Sequence, residues 1–128
     1  MKGFSLIEIM IVLVITAILT GSATIYYQHT ALRARRVEGR LALLSLSERM
    51  EAYHFKNHTY TGATPSTLGM PAQTEHQAYW LVVEGATNDE YQLRADPSVE
   101  DSACGSLMLS ELGVKTVTGK GAFSECWL

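Results

Sequence analysis

Glu8 opens a run, Ile9 to Leu32, that contains no Asp, Glu, Lys or Arg. A carboxylate at the edge of so apolar a run requires a partner, because a charge in hydrocarbon costs on the order of 2–3 kcal/mol even on lenient scales. Cys104 and Cys126 are the only cysteines, which leaves a disulfide or two free thiols. His54 and His58 lie four apart with Glu51 three before His54, a spacing that can put metal-ligating atoms on one helix face. A third strong ligand is missing, so no metal or cofactor is expected. Lys115, Lys120 and Arg94, with Trp80 or Trp127, would make a DNA-binding patch only if folding gathered them into one exposed basic and aromatic surface. Acids lie near all three cations. No Gly-x-Ser-x-Gly, P-loop or paired-cysteine zinc pattern occurs, and Cys104 has no catalytic setting; the chain is not expected to be an enzyme.

The elements that must carry these residues follow from pattern. A chain of 128 residues has room for about one domain of ordinary size. With 47% apolar and 18% charged residues and a net charge of -3, it is neither a disordered polar chain nor a globally basic nucleic-acid binder. From Ile9 to Tyr27 the sequence is apolar or small, broken only by Thr16, Thr20, Gly21, Ser22 and Thr24. About 20 such residues in a helix span the ~30 Å core of a bilayer. The isolated hydroxyls can bond back to carbonyls one turn earlier, and Tyr26 and Tyr27 fall where an interfacial aromatic belt belongs. A cleaved secretory signal is the competing reading, with Lys2 as n-region and Gly21-Ser22-Ala23 as a weak cleavage site. Glu8 argues against it.

Between Tyr27 and Asn57 the only Gly or Pro is Gly39, and Leu, Ala, Glu, Arg and Met dominate, which predicts a helix from Phe4 to about Lys56. At 1.5 Å per residue it would be roughly 80 Å long. At 100° per residue Leu43, Leu46, Met50 and Tyr53 share one face, and Val37, Leu41, Leu44 and Phe55 the opposite one. One stripe can cover a sheet of the same chain; the other is left for neighbouring helices. Arg33, Arg35, Arg36 and Arg40 point in several directions, toward headgroups, toward acids such as Glu38, Glu48 and Glu51 of neighbours, or toward DNA.

Asn57 to Gln77 is rich in Thr, Gly, Pro and Ser and reads as a loop anchored by Leu68 and Met70. Four β-prone stretches follow: Tyr79 to Glu84, Tyr91 to Ala95, Ser106 to Leu109 and Val114 to Thr118. Turn chemistry at Asn88-Asp89, Asp96-Pro97 and Gly113 makes an antiparallel meander the simplest topology. One helix laid across one sheet gives an α+β fold.

The N-terminal string Lys2-Gly3-Phe4-Ser5-Leu6-Ile7-Glu8-Ile9-Met10-Ile11-Val12 resembles the class III leader and N-methylation motif of type IV pilins. The likeness continues through Tyr27-Gln28, Ala42-Leu43-Leu44, Glu51-Ala52-Tyr53, Asn57-His58-Thr59-Tyr60 and the closing Cys104-Gly105 to Cys126-Trp127, which are similar to minor pilins of the PilE type. The resemblance implies a leader of residues 1–3, cut by a prepilin peptidase after Gly3, with N-methylation of the new terminal Phe4. It implies a transmembrane and filament-core helix over residues 4–27 and a periplasmic domain over 28–128. Glu8 would pair with the Phe4 amine of a neighbouring subunit during assembly. The domain would be an α+β pilin head whose Cys104 and Cys126 form a disulfide closing the C-terminal loop. Closing a loop of that size stabilises by roughly 3 kcal/mol in the chain-entropy model.

Partners implied by the resemblance are other pilins, the prepilin peptidase and the inner-membrane assembly platform. The role would be that of a minor pilin incorporated into or priming a pilus used in twitching motility, adhesion or DNA uptake. A type II secretion pseudopilin and a DNA-receptor pilin for transformation are the alternatives. Two residues depart from the family pattern: Ala17 and Ile25 stand where many members have a helix-loosening glycine and a proline, so no helix hydrogen bond is necessarily lost there. Topology signals conflict, since four arginines follow the span and only Lys2 precedes it. The leader and the cysteine pair outweigh that count and place the C-terminal part in the periplasm, anchored in the inner membrane.

Overall fold

A computed structural model describes residues 2–128; Met1, the first residue of the expected leader, lies outside them. The described residues form two compact units that divide between Arg33 and Ala34. One helix, α1, spans Leu6–Asn57 and contributes to both.

In the first unit α1 begins two residues later than predicted. The Ile9 amide bonds the Ser5 carbonyl at 3.2 Å, and Lys2 to Ser5 precede the helix. The hydroxyls satisfy themselves as anticipated: Thr16 Oγ1 donates to the Val12 carbonyl and Thr20 Oγ1 to the Thr16 carbonyl, both at 2.7 Å. The segment is long and apolar enough to cross a membrane, and none of its apolar window is buried within the chain.

In the second unit the apolar stripe of α1 does what its spacing implied. Leu43, Leu46 and Met50 are fully buried, each contributing about 1.5–3 kcal/mol of apolar burial. Val37, Leu41, Leu44 and Phe55 stay exposed on the other side. The helix ends at Asn57, where His58 turns into the left-handed region (φ 58) and returns its amide to the His54 carbonyl at 2.7 Å, a common way to close a helix.

The four strands are β1 (Tyr79–Glu84), β2 (Gln92–Pro97), β3 (Leu107–Ser110) and β4 (Lys115–Val117), ordered β1-β2-β3-β4 with every pairing antiparallel. The meander is therefore as predicted. Inward residues alternate along it, with Tyr79, Leu81, Leu93, Ala95, Leu107 and Leu109 in the core, as a half-buried sheet requires. One turn was misplaced. Asp96 and Pro97 are strand residues, paired with Trp80 and Tyr79. Proline is tolerated because it ends the strand, and the Ser98 amide resumes the bonding to the Ala78 carbonyl.

The segment after α1 is more than a loop. Leu68 and Met70 do pack on the core, but Tyr60 and Ala63 are buried deeper. Gln73 forms a bridge to Trp80, and the Leu81 amide reaches the Ala72 carbonyl, so this segment covers the β1 edge. A short helix, α2 (Phe123–Trp127), was not anticipated; it brings Cys126 and Trp127 into the core.

Candidate functional site

At the N-terminus, Gly3 and Phe4 precede the first helical residue and are exposed. Glu8 lies in the first turn of α1, where a carboxylate also complements the helix dipole. Phe4, just before the helix, lines one shallow depression with Glu8, Ile9, Val12 and Leu13, whose three- and four-residue spacing puts them on one helix face. An amine created at Phe4 would thus border the same depression as the Glu8 carboxylate.

At the C-terminal loop, Cys104 and Cys126 form a disulfide with Cα atoms 5.6 Å apart. Beneath it lies an ion pair that sequence reasoning missed. Arg36 Nε and Nη2 donate to Asp101 Oδ2 and Oδ1 at 2.8 and 2.9 Å, and Asp101 Oδ1 also accepts the Cys104 amide at 3.2 Å. Both residues are buried. The hydrogen bond from Arg36 holds the Asp101 carboxyl below its ordinary range, against the opposing effect of burial. The same bond raises the Arg36 pKa. The signal was present: at 100° per residue Arg36 falls on the stripe of Leu43 and Met50, and a guanidinium on a buried stripe implies a buried acid.

The loop is locked by close backbone approach. A Cβ at Gly119 would run into the Ala103 carbonyl, and the Gly119 amide donates to the Cys104 carbonyl at 2.9 Å. Only glycine fits such an approach.

Folding does not assemble the proposed DNA patch. Arg94 is committed to Glu84 and Asp96. Trp127 is buried, its indole N–H donating to the Thr116 carbonyl at 3.0 Å, so it offers no platform for a base. Lys115 Nζ lies over that ring, 5.5 Å from its centroid, a cation–π geometry. Trp80 is exposed but belongs to β1, across the whole sheet from β4. Three strand spacings, about 14 Å, separate it from Lys115. Lys120 is exposed between β4 and α2.

The histidine pair is likewise dispersed in role. His54 stacks on Tyr60 with ring centroids 4.3 Å apart and contacts the Asn88 carbonyl at 3.0 Å. Glu51 accepts from the hydroxyls of Tyr60 and Tyr91 at 3.1 and 3.2 Å. Burial and the bond to Glu51 push the Tyr60 phenol up to about 12. His58 is exposed beyond the helix end. Among the described residues no group of three His, Cys, Asp or Glu could hold a metal.

Two family models match the sequence. One, described as the prokaryotic N-terminal methylation motif, covers residues 1–24. The other, described as type IV minor pilin ComP, DNA uptake sequence receptor, covers residues 26–108. No curated protein matches the chain. With one model spanning well over half of the sequence beside the methylation motif, the chain belongs to the ComP family of type IV minor pilins.

Proposed function

We propose that this minor pilin is a structural subunit, not a catalyst, cut after Gly3, N-methylated at Phe4 and then incorporated into or used to prime a type IV pilus. Membership of the family itself carries membrane association and pilus-related partners. The observation that carries the reading is the exposed Gly3-Phe4 step that precedes an unburied apolar helix, with Phe4 and Glu8 beside one depression. In the membrane a lone Glu8 carboxylate is costly, and the Phe4 ammonium of a neighbouring subunit would lower that cost on assembly. Methylation keeps the positive charge. The prepilin peptidase and the inner-membrane assembly platform are the partners this route requires, with the disulfide-bearing unit on the periplasmic side. Mass spectrometry of N-terminal peptides from membranes and sheared filaments, with and without the peptidase, tests it. The expected peptide begins at methylated Phe4; an intact Met1 in both fractions would overturn the reading.

A second reading, a receptor for DNA during uptake, is favoured by the description of the family model over residues 26–108. Of the 10 Lys and Arg only Lys2 and Arg33 precede Ala34, and of the 13 Asp and Glu only Glu8 does. The second unit is therefore net acidic, and binding would rest on local cations such as Lys115 and Lys120. Titration of the intact chain with duplex DNA over a range of salt concentrations is the discriminating measurement, because phosphate contacts weaken steeply with salt. No binding at low salt would remove the receptor reading and leave the assembly role intact.

A further inference from the structure

The outer face of the sheet carries a constellation to which the assembly reading above gives no role. Trp80 is 49% exposed there, on the face opposite the core residues Tyr79 and Leu81. It sits between two polar neighbours: Gln73 bridges it on one side, and Asp96 is its β2 partner on the other. Directly opposed residues on a sheet have Cβ atoms about 4.5–5.5 Å apart, so the indole lies within reach of an amide and a carboxylate.

Asp96 is held in place. Ser106 Oγ donates to Asp96 Oδ1 at 2.6 Å, and Arg94 Nε lies 2.8 Å from the same oxygen. That contact falls outside hydrogen-bond geometry, so Arg94 balances Asp96 by charge while its Nη1 reaches Glu84. Left without a protein partner among the described residues are the Trp80 indole N–H, the Gln73 amide and Asp96 Oδ2.

We propose that this end of the sheet is a saccharide-binding site. A pyranose ring has an apolar C–H face and a rim of hydroxyls, each both donor and acceptor. The indole supplies an apolar aromatic surface for the first. For the rim there are donors on Trp80 and Gln73 and acceptors on Gln73 and Asp96. Charge argues against a phosphate ligand, since Glu84 and Asp96 flank a single cation, Arg94, and leave the patch net negative. A cationic ligand on the indole gains little, because Arg94 answers the Asp96 charge beside it and the surplus acid, Glu84, lies at the far end of β1 from Trp80; what remains on offer is hydrogen-bonding capacity. Backbone pairing on both sides of Trp80 fixes the platform before any ligand arrives, which limits the entropy lost on binding.

The test uses the intact chain in a sugar-free detergent, with immobilised cellobiose, maltose, lactose and chitobiose as probes and a random-sequence duplex DNA beside them. The expected result is binding of at least one disaccharide, accompanied by a change in indole fluorescence and insensitive to salt. Trp80→Ala should weaken it by about tenfold or more, and Gln73→Ala and Asp96→Asn should each weaken it several-fold. Lys115→Ala should leave it unchanged. Because Trp80 and Gln73 lie at the surface, their variants should keep the Cys104–Cys126 disulfide and the thermal transition of the parent. Failure of all four disaccharides to bind, or binding that survives Trp80→Ala, overturns the proposal. So does salt-sensitive binding of the DNA alone that is lost with Trp80→Ala, which would give this face to nucleic acid.

Discussion

Arg36 and Asp101, 65 residues apart in sequence, meet in a two-pronged ion pair of 2.8 and 2.9 Å that joins α1 to the turn carrying Cys104. Both side chains are almost wholly removed from solvent. Removing one partner of such a pair strands the other charge, at about 3–5 kcal/mol. Asp101→Ala should therefore destabilise the second unit by about that amount, whereas an Arg36→Met, Asp101→Leu double variant should lose much less. Thermal unfolding of the three chains measures the difference.

The same pair sets an acid limit. Its bond to Arg36 holds the folded Asp101 carboxyl below the unfolded value, so its contribution is fully present above the ordinary aspartate range and is lost as pH falls toward the depressed value. The parent should lose stability on acidification below about pH 4, and Asp101→Asn should flatten that slope at the expense of stability at neutral pH. An unchanged slope in the variant would show that other carboxylates dominate.

How much of this was legible in the sequence depends on the range of the interaction. The helix, its two stripes and the meander follow from local periodicity, which Leu43, Leu46 and Met50 express directly. Asp96-Pro97 was read as a turn because proline usually breaks a strand; the pairing of Tyr79 with Pro97 is a tertiary fact that local chemistry does not encode. Partners such as Arg36 with Asp101, or Gln73 with Trp80, are joined only by folding. Whether Arg94 joins a basic patch is undecided in the sequence for the same reason. Its cross-strand acids, Glu84 and Asp96, are visible only once register is known.

Gly39 lies where α1 packs closely against the sheet. A Cβ there would stand 2.9 Å from two ring carbons of Tyr79 and 3.2 Å from Leu107 Cδ1. Alanine ordinarily stabilises a helix interior by about 1 kcal/mol over glycine, but overpacking costs about 1–3 kcal/mol, and the buried Tyr79 ring has little room to move. Gly39→Ala should lower the unfolding temperature, and Tyr79→Leu in the same chain should recover part of the loss. An increase in stability from Gly39→Ala alone would refute the contact.

Reduction tests the C-terminal loop. Cys104 and Cys126 are separated by 22 positions, and a cross-link of that span is worth roughly 3 kcal/mol in the chain-entropy model. The Cys104→Ser, Cys126→Ser double variant should unfold at a lower temperature than the parent, and reductant should shift the parent but not the variant. Equal shifts in both would mean that the reductant acts elsewhere.

At the other end of the chain, Glu8 separates processing from assembly. The Gly3-Phe4 step lies before the helix and is exposed, so a Glu8→Ala chain should still be cut after Gly3. What it loses is the carboxylate that would meet a neighbouring Phe4 ammonium in a low-dielectric setting, where opposite charges attract far more strongly than in water. Glu8→Ala should therefore accumulate in membranes as a processed chain beginning at Phe4 while its share in sheared filaments falls. Glu8→Asp, which keeps the charge on a shorter arm, should restore part of the incorporation, and Glu8→Gln, which keeps the shape without the charge, should not. If Glu8→Gln enters filaments as well as the parent does, hydrogen bonding rather than charge pairing accounts for the residue's place at the start of α1.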